Sequence, residues 1–111
     1  MARRWTLAAA EALFPDLRER TARAVAASDT LVARRDGLPA GSAERAEVEA
    51  QIDAEVSRWV REMEALGLEI KGLWLVDFDT GDGCLCWKWP EERLGYFHTY
   101  EEGFAGRTPI Q

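Results

Sequence analysis

The 111-residue chain is poor in several residue types that specialised proteins need. It has one histidine and two cysteines, and no stretch approaches the run of about 18 apolar residues that marks a membrane span. Cations are also few, because 14 Lys and Arg stand against 20 Asp and Glu and give a net charge of −6. Nucleic acids are bound by clustered Lys and Arg. We therefore expect no nucleic-acid partner and no membrane partner.

The two cysteines, Cys84 and Cys86, are separated by a single residue. On an extended strand such side chains point the same way, about 6.5–7 Å apart, which is too far for a disulfide. The basic start of the chain is followed by a short stretch that contains Glu11, so we predict no apolar core of a signal peptide. Reduced thiols without an export signal are typical of a cytoplasmic protein.

The first third of the chain has the periodicity of an amphipathic helix. Apolar and small residues recur at alternating spacings of three and four from Leu7 to Leu31, and Thr6 stands at the position of an N-cap. Pro15 lacks a backbone donor, so it either kinks this helix or lies in the first turn of a restarted one. Many positions of the stripe hold Ala, Thr or Ser, which allow another helix to approach closely.

A second helix is predicted after a loop with two glycines and one proline. Its apolar positions run from Val48 to Leu66, with Ser42 as the N-cap and Gly67 just past the C-terminus. Two helices joined by so short a loop run antiparallel. We therefore predict a helical hairpin over residues 6–67.

The last part of the chain has an apolar period of two, which is typical of strands. Strands are predicted at Leu73–Phe78, Cys84–Trp89 and Gly95–Tyr100. The predicted fold class is α+β: a long antiparallel helical hairpin, a three-stranded antiparallel β-meander and an ordered irregular C-terminal tail. These elements form a single domain, 1–111, with the meander and tail at 72–111. Eight of the eleven aromatic residues lie in this second part, so a site is expected there.

The two predicted turns assign a register to the meander. They place Phe78 opposite Cys84, and Cys86 opposite His98. The face that packs on the hairpin then has Asp77 at its edge, and the other face carries Cys86 and His98. A slip of one residue in one strand would exchange the two faces of that strand.

Both predicted layers leave apolar surface uncovered. A 24-residue helix is about 36 Å long whereas a six-residue strand covers about 20 Å, so the sheet cannot cover the hairpin. Residues 1–36 carry seven Arg and five acids, and residues 43–66 carry three Arg and seven acids, so the two helices suit each other better than an external polyion. We predict a homodimer through the helical hairpin. The alternative is a monomer whose small outer residues tolerate exposure.

The leading functional hypothesis is therefore a self-associating interaction or scaffold module, without catalysis and without a cofactor. Cys84, Cys86 and His98 have side chains that bind zinc. However, a structural zinc site has four ligands, and Cys-x-Cys is not the Cys-x-x-Cys spacing of zinc knuckles. The simpler interpretation makes both cysteines small core residues, so we predict no metal site, and a metal-binding domain is the alternative.

Cys86 and His98 also suggest a nucleophile and its base, with Asp77 or Glu101 orienting the imidazole. The sequence offers no obvious oxyanion hole, and this nucleophile would lie in the middle of a strand. A weak enzymatic activity is therefore an alternative that the sequence does not favour.

His98 is the strongest single candidate for a functional residue, because the charge of a histidine changes near neutral pH. Arg107 follows Gly106 in a glycine-containing tail, where a guanidinium suits a carboxylate or phosphate group. With Trp74, Tyr96 and Tyr100 they predict one pocket for a small molecule, in particular an anion. The alternatives are a buried histidine bonded to a carboxylate or carbonyl, and an Arg107 paired with an acid. The candidate ligand-binding residues are Asp77, Cys86, Tyr96, His98, Glu101 and Arg107.

Several motifs occur in the order found in one protein family. They are Thr6-Leu7, Glu11-Ala12-Leu13-Phe14-Pro15, Leu75-Val76-Asp77-Phe78, Leu85-Cys86-Trp87, Gly95-Tyr96-Phe97-His98 and the tail Glu102–Pro109. With these motifs essentially the whole chain resembles domain of unknown function 2203, and the tail is the most specific of them. The chain departs from the family pattern in two places. Its first turn is shorter and rich in glycine, and Trp89 stands before Pro90 where a loop residue would be usual. The resemblance implies a bacterial protein with the family's architecture, and it implies no activity.

Overall fold

The structure, a computed structural model, describes residues 3–110 of the chain. Helix α1 spans Leu7–Asp36, helix α2 spans Ala43–Ala65, and the two helices pack against each other. The predicted helical hairpin is confirmed.

The hydroxyl groups of two residues explain where the helices begin. The Thr6 side chain accepts a hydrogen bond from the Ala9 amide at 3.1 Å, and the Ser42 side chain accepts one from the Arg45 amide at 3.1 Å. Each satisfies an amide that has no partner within its own helix. Both predicted N-caps are therefore confirmed.

Helix α2 ends at a glycine, as predicted. Gly67 has a φ of 90°, which a residue without a Cβ adopts easily, and its amide donates to the Glu64 carbonyl at 2.9 Å. The Leu68 amide donates to the Met63 carbonyl at 3.1 Å, and both of these side chains are buried. The two bonds form a Schellman motif. Pro15 lies inside α1, which continues through it, so the helix does not restart there.

Within the described residues the sheet has five strands rather than the predicted three. They are β1 (Glu69–Gly72), β2 (Leu75–Asp79), β3 (Cys84–Lys88), β4 (Tyr96–His98) and β5 (Thr108–Pro109). Neighbouring strands are antiparallel and follow chain order. The α+β class and the meander are confirmed, and the number of strands is corrected.

The two additional strands have no strand pattern of their own. β1 has a single aliphatic side chain, Ile70, and β5 consists of Thr108 and Pro109. Each forms by pairing with a neighbouring strand that has a clear pattern. Proline is tolerated in β5 because this strand lies at the edge of the sheet, where a missing amide hydrogen does not interrupt a ladder.

The register of β2 on β3 differs from the predicted one by one residue. Phe78 lies opposite Leu85, because the Thr80 amide donates to the Gly83 carbonyl at 2.9 Å and closes a turn with two central residues. A difference of one residue exchanges the faces of a strand. Asp77 therefore moves from the edge of the hairpin-facing side to the opposite face of the sheet.

The register of β3 on β4 differs from the predicted one by two residues, which leaves the faces unchanged. Cys84, rather than Cys86, lies opposite His98. The sheet thus has an inner face, which packs on the hairpin, and an outer face, which points away from it. The inner face consists of Val76, Phe78, Leu85 and Trp87. The outer face includes Leu75, Asp77, Cys84, Cys86 and His98.

Aromatic contacts join the inner face to the hairpin. Phe14 of α1 meets Trp87 edge to face, with ring centroids 5.6 Å apart. Between the helices, the Trp59 indole donates to the Thr21 hydroxyl at 2.9 Å, which satisfies two buried polar groups at once. The predicted place of Trp87 in the core is confirmed.

The hairpin extends beyond the sheet. Ala24 of α1 and Trp59 of α2 are the last hairpin residues that belong to the common core, whereas Ser28 and Val48 are buried between the two helices alone. The molecule is accordingly elongated, at 48 × 27 × 24 Å. Between residues 3 and 110, neither helix has the length together with the apolar composition that crossing a bilayer requires.

Candidate functional site

The outer face of the sheet carries a cluster of buried polar side chains. Asp77 of β2 is 1% exposed, Cys86 of β3 is 0% exposed and His98 of β4 is 5% exposed. The potential ligand atoms of these residues lie within 4.8 Å of one another, so the structure brings three of the six predicted site residues together. Burying a carboxylate is costly unless it is paired or hydrogen-bonded. The partners of Asp77 therefore decide what this cluster can do.

Asp77 and His98 form a buried pair. His98 Nε2 lies 2.9 Å from Asp77 Oδ2, and His98 Nδ1 lies 2.7 Å from the Thr99 carbonyl oxygen. A carbonyl oxygen can only accept, so Nδ1 carries a hydrogen. In a neutral ring Nε2 is then an acceptor, and it faces an acceptor oxygen. A positive charge must lie between Nε2 and Oδ2, and a proton shared by the two side chains supplies it.

The other carboxylate oxygen of Asp77 lacks a donor. Oδ1 is buried and has no hydrogen-bond partner among the described residues. The Cys86 thiol lies opposite Asp77 on β3 and offers this carboxylate only a weak sulfur donor. Burial, followed by the charge of Asp77, raises the pKa of Cys86 to about 12, and Arg107 opposes this increase.

The cysteines are not arranged as nucleophiles. Burial, followed by the charge of Asp77, also raises the pKa of Cys84 to about 12. Reactive cysteines are thiolates, whereas these two thiols are protonated near neutral pH. His98 has no nitrogen left for either thiol, because Asp77 and Thr99 engage both of its nitrogens. The Cys86–His98 nucleophile pair is therefore not formed.

A pocket of about 390 Å³ opens over this cluster, and we call it the outer pocket. Its floor consists of the buried residues Leu75, Asp77, Cys84 and His98. Its mouth consists of Glu69, Lys71, Asp79, Tyr100, Gly103 and Phe104, which are half-buried or exposed. Strand β1 contributes one side of the mouth, and the short 3₁₀ turn Gly103–Gly106 contributes the other.

The charges at the mouth of the outer pocket are mainly negative. Glu69 and Asp79 provide carboxylates, and Lys71 provides an ammonium group 3.6 Å from Glu69. The Tyr100 hydroxyl donates to Asp79 at 2.6 Å, and this bond, followed by one from a backbone amide, lowers the pKa of Asp79. Asp79 is thus ionised at neutral pH, while the pair at the floor is neutral with its shared proton. Two carboxylates and one ammonium group give the mouth an excess of negative charge.

Arg107 lies behind the outer pocket rather than in it. Its guanidinium stacks on Tyr96 and Phe104 at 4.1 and 4.2 Å from the ring centroids. Arg107 Nη1 lies 2.9 Å from Glu91 Oε2, so the guanidinium is paired with an acid. This pairing is the alternative to ligand binding that the sequence left open for Arg107. Glu101 is exposed and does not line the outer pocket, and neither do Trp74 and Tyr96, whereas Tyr100 does.

The model of a protein family matches this chain over residues 3–110, and its description is "Uncharacterized conserved protein (DUF2203)". The chain belongs to the DUF2203 family. The resemblance carried by the sequence motifs is therefore confirmed. No curated protein and no solved structure matches the chain. For this DUF2203 protein, function has to be argued from the outer pocket itself.

Sequence reasoning misses most of the pocket mouth of this DUF2203 chain. Glu69 and Lys71 belong to β1, which has no strand pattern to reveal it. Asp79 did carry a signal, because it lies two residues after Asp77 and residues two apart share one face of a strand. With β2 as a strand and Asp77 as a candidate, Asp79 follows as a neighbour of the site.

Proposed function

We propose that the outer pocket binds a small organic cation such as a primary amine. The observation that carries this proposal is a mouth that combines Glu69 and Asp79 with the aromatic rings of Tyr100 and Phe104. Carboxylates bind ammonium groups through charge-assisted hydrogen bonds, and aromatic faces attract cations. A volume of about 390 Å³ suits a small molecule.

The floor of the outer pocket supports the proposal. A buried acceptor without a partner, such as Asp77 Oδ1, costs about 1–3 kcal/mol. Buried polar groups are usually satisfied, and Ser28 Oγ in the hairpin is the other buried side-chain atom without a partner among the described residues. At the mouth, Phe104 is 43% exposed and offers apolar surface to the carbon skeleton of a ligand. The anion predicted from Arg107 stays a prediction, and the charges of the lining point the other way.

An NMR titration tests this proposal, with ethylammonium as the probe and inorganic phosphate as the opposing probe. We expect ethylammonium to shift the backbone amides of Glu69, Tyr100 and Phe104 until they saturate, and phosphate to leave them unchanged. Saturable shifts of the same amides with phosphate and none with ethylammonium would overturn the proposal in favour of the anion.

The matched variants are Asp79→Asn and Glu47→Gln. Asp79→Asn removes one charged partner at the mouth and should weaken ethylammonium binding about 10-fold or more, since a hydrogen bond to a charged group is worth about 1.5–3 kcal/mol. Glu47 is exposed on α2, and its replacement should leave the binding unchanged. Equal affinities of the two variants would exclude Asp79 from the site.

We also propose that the protein self-associates through the far part of the hairpin, residues 25–58. This part has no third layer within the described chain, and its half-buried apolar residues include Val25, Leu31, Val32, Ile52 and Val56. The radius of gyration of 16.0 Å exceeds the value of about 13 Å for a compact chain of this length.

Light scattering coupled to size-exclusion chromatography tests the dimer. We expect a dimer at micromolar concentration, and a monomer for Ile52→Glu, which puts a charge on the half-buried stripe. Ala50→Glu adds the same charge on the exposed side of α2 and should stay dimeric. A monomeric wild-type protein would overturn this second proposal and leave the first intact.

We further propose a reducing compartment such as the cytoplasm, because both described cysteines are free and buried.

A further inference from the structure

We propose that Asp77, Cys86 and His98 bind one divalent transition-metal ion of the zinc class at the floor of the outer pocket. Each of the three residues is at least nine-tenths buried, and their potential ligand atoms lie within 4.8 Å of one another. The inference rests on the proposed function only because the outer pocket gives the ion access. It does not depend on an organic cation.

His98 has the orientation of a metal ligand. Metal-binding histidines donate their other ring N–H to a carboxylate, a backbone carbonyl or water, which fixes the ring and aims the free nitrogen. His98 Nδ1 lies 2.7 Å from the Thr99 carbonyl oxygen and meets this requirement. The lone pair of Nε2 is thereby directed at the Asp77 carboxylate.

The distance between Nε2 of His98 and Oδ2 of Asp77 suits a shared ion. The two atoms lie 2.9 Å apart, which is the distance of a hydrogen bond that the shared proton completes. Nitrogen and oxygen ligands about 2.0–2.2 Å from zinc in a tetrahedral site are roughly 3.3 Å apart. A shift of a few tenths of an ångström converts the hydrogen-bonded pair into two metal ligands. Oδ1 of Asp77, which lacks a donor, shows that the carboxylate is not committed to the fold on its other side.

Cys86 makes the set selective for the zinc class. Sulfur, imidazole nitrogen and one carboxylate oxygen suit zinc and its transition-metal neighbours, whereas magnesium and calcium require oxygen ligands. The ion displaces the proton shared by Asp77 and His98 together with the proton of the Cys86 thiol. One thiolate and one carboxylate then balance the two charges of the ion, so the buried centre is neutral, as a buried group should be.

The three protein ligands leave a fourth position open. Asp77 and His98 line the outer pocket and Cys86 does not, so the open position lies on the pocket side of the ion and takes water or a ligand. Three protein ligands and an open position are characteristic of zinc sites that exchange ligands, whereas structural sites are closed by four. Cys84 also lines the pocket, but it is not part of the cluster of atoms within 4.8 Å.

Cobalt(II) titration of the full chain, purified without a histidine tag and freed of metal, tests the inference. We expect one equivalent of Co²⁺ to bind, with a thiolate-to-cobalt absorption band in the near ultraviolet and strong visible bands of a four-coordinate ion. Zinc should displace the cobalt and abolish the spectrum. The absence of a thiolate band, or the absence of binding, would overturn the proposal.

Cys86→Ser and Cys84→Ser are the matched variants. Removing the hydrogen-bond partner of a metal ligand lowers the metal affinity roughly 10- to 100-fold. Removing the ligand itself should lower it at least as much. We therefore expect Cys86→Ser to abolish the thiolate band and to weaken Co²⁺ binding about 100-fold, whereas Cys84→Ser keeps both. The opposite pattern would contradict the ligand set.

The wild-type chain gives an independent readout if a variant fails to fold. Zinc should shift the ¹⁵N resonance of His98 Nε2, because the ion replaces the proton at that atom, and should leave the Nδ1 hydrogen in place. An unchanged His98 ring in the presence of zinc would overturn the inference. Repeating the ethylammonium titration with a chelator separates the two proposals. If the amine binds and no metal binds, the metal centre is overturned and the proposed amine site stands.

Discussion

The central side chains of the two faces of the sheet are buried to the same extent but differ in chemistry. On the inner face, Val76 lies opposite Trp87, and both are packed against the hairpin. At the adjacent pair of positions, Asp77 lies opposite Cys86 on the outer face and is just as inaccessible to water. Burial alone therefore does not separate a core from a site. What separates them is whether the buried groups are satisfied by the protein itself.

The inner face is explained by folding. Its side chains are apolar, and removing them from water stabilises the native state. The outer face is not explained in this way, because a carboxylate, an imidazole and two thiols occupy positions that apolar residues could fill. Replacing a buried ion pair by apolar residues is often neutral or stabilising. This contrast supports the proposal that the outer cluster serves binding.

The largest expected effect is on the inner face. Trp87→Ala removes a fully buried side chain and should lower the free energy of unfolding by about 3–5 kcal/mol. Lys88→Ala, at the exposed neighbouring position, should change it by less than about 0.5 kcal/mol. Urea denaturation measures both. Similar losses for the two variants would contradict the assignment of the inner face as the core.

A single change on the outer face should be nearly as costly, for a different reason. His98→Leu leaves Asp77 buried without its partner, and breaking a buried pair costs about 3–5 kcal/mol. Lys71→Leu, at the exposed mouth of the same pocket, is the control and should cost little. If His98→Leu were as stable as the wild type, the pair would be no buried ion pair at all.

Arg107 connects the outer face to the edge of the sheet, and its loss should have an intermediate effect. Arg107→Ala removes the stacking on Tyr96 and Phe104 and leaves Glu91 unpaired, which should cost about 1–2 kcal/mol. Arg107→Lys should retain only part of the stability that Arg107→Ala loses, because an ammonium group lacks the planar surface that stacks. Ethylammonium binding should survive in both, and its loss would place Arg107 inside the pocket.

The smallest effect is expected at the mouth, where Tyr100 donates to Asp79. Tyr100→Phe removes the main cause of the lowered pKa of Asp79, so this pKa should rise toward its ordinary value of 3.8. A lowered native pKa stabilises the folded state above the ordinary value, and this stabilisation is lost as the pH falls through the native one. Carboxyl NMR titration measures the shift. An unchanged pKa of Asp79 would contradict the hydrogen bond from Tyr100 as the main cause of its lowered value.

The sequence predicts those parts of the fold that depend on local chemistry. Thr6, Ser42 and Gly67 act through atoms a few residues away, so their roles follow from residue type and position. The register of β2 does not follow in this way, because it depends on which amide of the turn closes on Gly83. A difference of one residue in that turn decides the face on which Asp77 lies.

The site is predictable to a similar extent. His98 stands out as the single histidine and Asp77 is a candidate carboxylate for it, but the predicted register places the two residues on opposite faces of the sheet. The partner of Arg107 does not follow, because Glu91 is 16 residues away and reaches it only through the tertiary fold. The pocket mouth escapes prediction because β1 exists only by pairing with β2.

The double variant Asp77→Leu/His98→Leu tests the central claim most directly, namely that the outer cluster serves binding rather than the fold. With both partners replaced by apolar residues no charge is left uncompensated, and the exposed Thr99 carbonyl can be solvated by water. We predict a free energy of unfolding within about 1 kcal/mol of the wild type, together with complete loss of Co²⁺ binding. A double variant that is as unstable as His98→Leu alone, or that still binds Co²⁺, would contradict the account.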